Sequence, residues 1–220
     1  MTRVLGEWLL TPERVALHLP TVTAVAADLH LGYDEARRRR GEAVPARSLD
    51  EQLAPLGRAL ARHGCRRLVI AGDLLEDGRC LEALAELRDW LRAAKVELVG
   101  AVPGNHDAGF SATSEADFPV CADGVRLGDW QVVHGDGELP EGPLVQGHEH
   151  PWFRWRGRLS APCYLVADAR LVLPAYSDDA AGVNVRGERR WRDFRCLVIA
   201  GDEVLDFGVL GSLGRRGARQ

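Results

Sequence analysis

Five short stretches of this 220-residue sequence gather groups that can ligate a metal ion or move a proton. They are Asp28-Leu29-His30, Gly72-Asp73, Gly104-Asn105-His106-Asp107, His134-Gly135-Asp136 and Gly147-His148-Glu149-His150-Pro151. Asp28 and His30 stand two apart at the end of an apolar run. On a strand end such residues point to one side, so a carboxylate and an imidazole could reach one cation together. Asp73 could bridge two cations with its two oxygens, and Gly72 lets a neighbour approach the backbone closely. In the third stretch the Asn105 carbonyl oxygen is a neutral hard ligand. His106 followed by Asp107 reads as an imidazole held by a carboxylate, a proton donor of defined orientation. His134 closes another apolar run, and His148 and His150 repeat the spacing of two. Each stretch alone is also what a polar turn after a strand looks like. That reading does not explain why successive apolar runs all end on candidate ligands.

The elements that must position these groups are legible in the apolar pattern. Runs over 22–27, 67–71 and 96–102 read as buried strands ending at Asp28, Gly72-Asp73 and Pro103-Gly104. Ser48 with Glu51 forms a capping-box pattern that opens a helix to about His63, with Pro55 expected to kink it or mark a later start. Leu81, Leu84, Leu87 and Leu91 give a second amphipathic helix over about 80–94. Residues 34–46 read as an Arg-rich loop or short irregular helix. Before them, 5–10 and 14–19 read as strands joined by Thr11-Pro12-Glu13. After residue 107 the period changes. Short strands are expected near 125–127, 130–134, 143–146, 152–155, 162–167, 170–174, 195–200 and 203–208, with hairpin turns at Ala167-Asp168-Ala169 and Gly201-Asp202. Residues 177–194 read as a long surface loop. Strand–helix alternation followed by a β-rich half is an α/β pattern. One domain over 1–213 with a basic, frayed tail over 214–220 is expected.

Composition bounds the chemistry further. Net charge is −4, so no global basic excess announces a nucleic-acid partner and any such binding must be local. The cysteines number five, an odd count with no C-x-x-C pair, which argues against a disulfide framework and a thiolate metal site. No apolar run approaches the ~20 residues of a membrane span, and Glu7, Glu13 and Arg14 interrupt any leader-like start. The expectation is a soluble, cytoplasmic protein with no membrane partner. His18 and His63 lie outside the clusters and are read as strand and helix surface residues.

In this order, D-x-H, G-D, G-N-H-D, H-G and G-H-x-H resemble the signature of the calcineurin-like binuclear metallophosphoesterase superfamily, from Asp28 to His150. The resemblance implies a two-sheet β-sandwich flanked by helices. It implies one metal ion held by Asp28, His30, Asp73 and His150, and a second held by Asp73, Asn105, His134 and His148. His106 is then the phosphate-facing histidine, supported by Asp107. Four positive charges against two carboxylates leave such a site net positive, fit for a phosphate. Cations about 3.5–4 Å apart can clamp both the nucleophile and the phosphoryl oxygens. Mixed imidazole and oxygen ligation suits Mn foremost, with Fe, Zn or Co, better than Mg or Ca.

A narrower likeness runs through Ala27-Asp28-Leu29-His30-Leu31-Gly32-Tyr33, Gly41, Val44-Pro45, Gly147 to Pro151, Ala161-Pro162-Cys163-Tyr164 and Leu173-Pro174-Ala175-Tyr176. These residues resemble the DNA-ligase-associated bacterial branch and its archaeal relatives, over roughly 5–185. The sequence departs from that branch around His134-Gly135-Asp136 and in 177–194. The likeness implies a phosphodiesterase or endonuclease acting on single-stranded or structured DNA in repair, linked to a DNA ligase and a helicase. A phosphomonoesterase or small-nucleotide phosphodiesterase would use the same site. A non-catalytic scaffold is disfavoured, because every ligand position is filled and His106 is kept. Arg37, Arg38, Arg39 and Arg40, with Arg154, Arg156 and Arg158, are the candidate phosphate-backbone track, and Arg186, Arg189, Arg190 and Arg192 add positive charge later. Compositional bias is the competing explanation, since Lys95 is the only lysine.

Overall fold

The computed structural model describes residues 2–77, 81–107, 118–155 and 157–213. The expected tail over 214–220, Arg156 and Cys80 lie outside the described residues, as does the Leu81 side chain. The first half carries strands β1 (Arg3–Leu5), β2 (Trp8–Leu10), β3 (Ala16–His18) and β4 (Thr23–Ala27), then helices α1 (Tyr33–Arg39) and α2 (Leu49–Arg62). Strand β5 (Arg67–Ala71), helix α3 (Leu81–Ala94) and strand β6 (Glu97–Val102) follow. These strands form one sheet in sequential order. It is antiparallel up to β4 and parallel across β4, β5 and β6. The second half supplies β7 (Val125–Leu127), β8 (Trp130–Val133), β9 (Leu144–Gln146), β10 (Pro151–Trp155) and β11 (Leu159–Ala167). It ends with β12 (Arg170–Val172), β13 (Val183–Asn184), β14 (Arg195–Ala200) and β15 (Glu203–Val209), and these nine form a second, mixed sheet.

Side-chain alternation along each strand sorts the core into layers. Ala24, Ala26, Leu68 and Ile70 face α2 and α3, where Leu53, Leu56, Leu60, Leu84, Leu87 and Leu91 cover them. Their neighbours Val25, Ala27, Val69 and Ala71 face the other way, onto Val132, Val145, Tyr164, Leu171 and Leu197 of the second sheet. Cys163, Leu165, Cys196 and Val198 point beyond that sheet, under Phe153 and Trp191. The architecture is thus the expected α/β one, two packed sheets flanked by helices. Among the described residues no helix is long and apolar enough to cross a membrane.

Several local expectations change. The run 5–10 is broken into two strands by a turn at Gly6-Glu7, where Gly6 has φ of 56°. His18 is not on the surface: it is buried beside the Trp8 ring, and that burial lowers its pKa despite Glu7 nearby. Part of 34–46 is the regular helix α1. Residues 177–194 do not simply lie on the surface, because they add β13 to the sheet edge and bury Val185 and Trp191.

Helix α2 begins at Ser48 as its capping box requires, with Glu51 N–H donating to Ser48 Oγ and Ser48 N–H donating to Glu51 Oε2. Pro55 neither ends the helix nor delays its start. Proline lacks an N–H and crowds the preceding turn, which opens the hydrogen-bond ladder locally. The Tyr176 hydroxyl fills the opening: it accepts from Leu56 N–H at 3.1 Å and donates to the Gln52 carbonyl at 2.8 Å. We predict that Tyr176→Phe, by stranding these two backbone groups, lowers stability by about 1–3 kcal/mol. Denaturant titration checks this, and an unshifted midpoint would mean that the helix closes its own ladder.

Candidate metal centre

The parallel pairing of β4, β5 and β6 sets their carboxyl ends side by side, where sites form in such sheets. Beyond the strands the first two loops stay joined. Asp28 N–H donates to the Gly72 carbonyl, His30 N–H to Asp73 and Leu31 N–H to Leu74. From the second sheet, β8 delivers His134 and β9 delivers the 147–151 loop, and His148 N–H donates to Asp28 Oδ2 at 3.0 Å across 120 residues of chain.

The side chains meet in groups. His30, Asp73 and His150 form one cluster, and Asp73, His134 and His148 form another, so Asp73 belongs to both. His106 N–H occupies Asp73 Oδ1 at 2.9 Å. Asp73 Oδ2 is left facing His134 Nε2 at 3.6 Å and His30 Nε2 at 3.9 Å. One oxygen, rather than the two anticipated, therefore looks both ways. Asp28 Oδ2 lies 3.6 Å from His150 Nε2. Asn105 Oδ1 and His148 Nδ1 each lie 3.1 Å from His134 Nε2.

The spacing-of-two argument does not carry over: among the described residues Asp28 joins no cluster with His30, and His148 and His150 fall in different clusters. Asp28, His30, Asp73, His148 and His150 all have left-handed backbone, with φ between 39° and 63°. They are not strand continuations. Non-glycine residues in that region carry strain and concentrate at functional sites. Close packing is just as demanding. A Cβ on Gly72, whose φ is 83°, would lie 1.8 Å from His134 Nδ1, and one on Gly104 would lie 2.2 Å from Asp73 Oδ1.

The donor set fits divalent cations. Asp28 and Asp73 are buried, and among the described residues neither has an arginine or lysine partner. Buried His30 Nε2, His134 Nδ1 and His150 Nε2 have no hydrogen-bond partner, an unusual concentration of unsatisfied atoms. The opposite ring nitrogen of His30 lies 3.0 Å from Glu76 Oε2, and that of His150 lies 3.3 Å from the Ala181 carbonyl. Acceptors there hold the proton on Nδ1 and leave the Nε2 lone pair for a metal. His150 feels burial, which lowers its pKa, but the Asp28 carboxylate, the Ala181 carbonyl and Asp73 outweigh it and raise the pKa. A cation would answer the same negative field.

Asp107 is not the support of His106. Its carboxylate accepts N–H groups from Gly104, Leu74 and Leu75 at 2.8–3.1 Å, bracing the loops after β5 and β6 against each other. Burial raises its pKa, and the three backbone donors oppose that shift. The His106 ring instead places Nδ1 3.0 Å from the Glu76 carbonyl oxygen, while the Asn105 side chain turns to His134. Glu76 is the residue that sequence reasoning missed. It touches His30 through its carboxylate and His106 through its backbone, and its only signal was its place three residues after Asp73. Also missed was Glu149, which lies between two candidate ligands and pairs with both terminal nitrogens of Arg190 at 2.8 Å.

The arginine run 37–40 does not form a row. It winds around α1, where consecutive residues diverge. Arg37 pairs with Glu42, Arg38 Nε donates to the Asp34 carbonyl, and Arg39 lies 3.7 Å from Glu35. Arg154 stands exposed on β10, which ends at Trp155, so Arg158 is not on that strand. We predict that Asp73→Ala abolishes binding of a metal pair. Glu76→Gln should weaken metal affinity about 10–100-fold by loosening His30. Calorimetric Mn titration measures both, and unchanged affinity in Glu76→Gln would exclude that role.

No family model matches the chain, and no curated protein matches it. Among solved structures it is similar to the nuclease MPE of Pseudomonas putida, with a TM-score of 0.74 and 23% identity over 94% of this chain and 100% of that one. The likeness shows that the two chains share one α/β fold built on paired sheets.

Proposed function

We infer that this protein is a binuclear metal-dependent phosphoesterase that hydrolyses phosphodiesters, with DNA as its substrate. The observation that carries the reading is the pair of His/Asp clusters sharing Asp73 at the carboxyl ends of parallel strands. Asp28, His30, Asp73 and His150 would hold one cation; Asp73, Asn105, His134 and His148 would hold the other. Two such cations supply Lewis acidity to the phosphoryl group and activate the attacking water. Mn suits this imidazole–oxygen donor set, with Fe, Zn and Co as the other candidates. The choice of a diester in DNA is supported by the fold-mate's description as a nuclease and by the motif likeness to the DNA-ligase-associated branch. That likeness also supports a role in repair alongside a ligase and a helicase.

His106 acts on the leaving group. It is exposed at the mouth of the site, its Nδ1 donates to the Glu76 carbonyl, and Nε2 is the end available to substrate. Protonated His106 would give its Nε2 proton to the departing sugar oxygen. Such general acid catalysis is worth about 10²–10⁴-fold. A nitrophenolate leaves without that help.

We predict metal-dependent turnover of bis-nitrophenyl phosphate above mono-nitrophenyl phosphate, and cleavage of DNA. Preference for the monoester with no DNA cleavage would replace this reading with a phosphomonoesterase. His106→Ala should keep both metals, lose about 10²–10⁴-fold on DNA and lose far less on the nitrophenyl diester. Equal losses on both substrates would make His106 a stabiliser of phosphoryl charge instead of an acid.

A further inference from the structure

The third layer of the protein holds a cationic feature apart from the candidate metal centre. A cavity of about 490 Å³ opens between β10, β13 and the single-turn helix at Arg189–Trp191. Arg154, Arg186, Arg189 and Arg192 line it, with Glu188 the only carboxylate among its lining residues. Arg190, in the middle of the same segment, is neutralised by Glu149. Among the described residues Arg186, Arg189 and Arg192 have no ion-pair partner. The Arg154 guanidinium reaches the Gly182 carbonyl, at 3.4 Å, and no carboxylate among the described residues. In a chain with net charge −4, four guanidinium groups gathered around one cavity are a local choice and not a general basic character.

The cavity is also built. Asn184 Oδ1 accepts the backbone N–H groups of both Arg154 and Arg186, tying the two walls together. The Arg186 guanidinium lies 4.7 Å from the Trp155 ring centroid, and buried Trp191 anchors the turn that carries Arg189. The site is joined to the metal centre by covalent chain and pairing. Ala181 accepts from His150, Val183 N–H donates to the His150 carbonyl at 2.9 Å, and Val183 pairs with Pro151. Arg154 stands on β10, which begins at Pro151 directly after His150. Guanidinium forks match phosphate oxygens in shape and charge.

We propose that this arginine cavity binds a backbone phosphate of the nucleic acid flanking the scissile one, and so makes the enzyme prefer a polymer to an isolated diester. The inference rests on the nuclease reading above. Arg189 and Arg192 are exposed and lie outside the packed core, so Arg189→Gln/Arg192→Gln tests it without disturbing the Trp155 stack. Single-stranded oligonucleotide binding is followed by fluorescence anisotropy across a salt series, and bis-nitrophenyl phosphate hydrolysis is measured in parallel. The expected result is a loss of oligonucleotide affinity of about tenfold or more. The slope of log affinity against log salt should flatten by about 0.7 for each phosphate contact removed. The ratio of oligonucleotide to small-diester turnover should fall with the affinity. Arg154→Gln, on the opposite wall, is the independent variant and should act in the same direction. If the wild type cleaves DNA and both variants keep its affinity and salt slope, the cavity is not the site and the nuclease reading stands. If the wild type hydrolyses the small diester but neither binds nor cleaves nucleic acid, the nuclease reading fails and this assignment falls with it.

Discussion

Two carboxylates buried at the seam between the sheets govern much of what surrounds them. Asp28 and Asp73 are almost fully withdrawn from water and have no cationic side chain beside them other than imidazoles, among the described residues. A buried charge is costly unless it is paired and hydrogen-bonded. The protein meets part of that demand with backbone donors, His148 N–H on Asp28 and His106 N–H on Asp73. The remainder falls on the neighbouring His30 and His150 Nε2 atoms, which have no hydrogen-bond partner. The uncompensated charge is gathered at the clusters that share Asp73.

Gathering those groups requires backbone that would not adopt its shape unaided. Five candidate ligands have left-handed conformation. Each such residue costs on the order of 1–3 kcal/mol, which the surrounding structure must outweigh. The layers behind the site supply the means. Strands β4 and β5 are buried on both faces, and Asp107 ties the loop after β5 to the one after β6 through hydrogen bonds from Leu74 and Leu75 N–H. Gly72 and Gly104 let ring and carboxylate approach where a Cβ could not fit.

The segment after β12 joins these regions. Tyr176 repairs the helix opened by Pro55, Ser177 N–H donates to the Asp28 carbonyl, and Ala181 orients His150. Arg47, which holds the Asp34 carboxyl below its ordinary pKa range, also pairs with Asp179 of this segment. Further on, Arg190 stacks on Trp191 and grips Glu149, between His148 and His150. A stretch that reads as polar surface loop is thereby coupled to both sheets and to the candidate ligands. Asp178, Asp179 and Arg190 find their partners at long sequence separation, which no local pattern announces.

What the sequence determined by itself was the set of reactive residue types and their place at the ends of apolar runs. Local physics writes those features: alternation of apolar residues, the Ser48–Glu51 cap and the two-residue turns at 168–169 and 201–202 act over a few residues. The α/β class followed from the same patterns, whereas the paired sheets were what the motif resemblance implied. The tertiary structure alone decided which atoms face which. Asp107 adjoins His106 in sequence yet serves backbone N–H groups, while Glu76, thirty residues from His106, supports it through a carbonyl. His18 looks like any strand histidine until Trp8 of the next strand covers it. The run at Arg37 to Arg40 is conspicuous in sequence but is dispersed around a helix, whereas Arg154, Arg186, Arg189 and Arg192 are scattered in sequence and meet around one cavity. The reason is common to all four cases. Side-chain convergence depends on sheet pairing and crossovers between distant segments, and a local sequence pattern carries the direction of a side chain but not its destination.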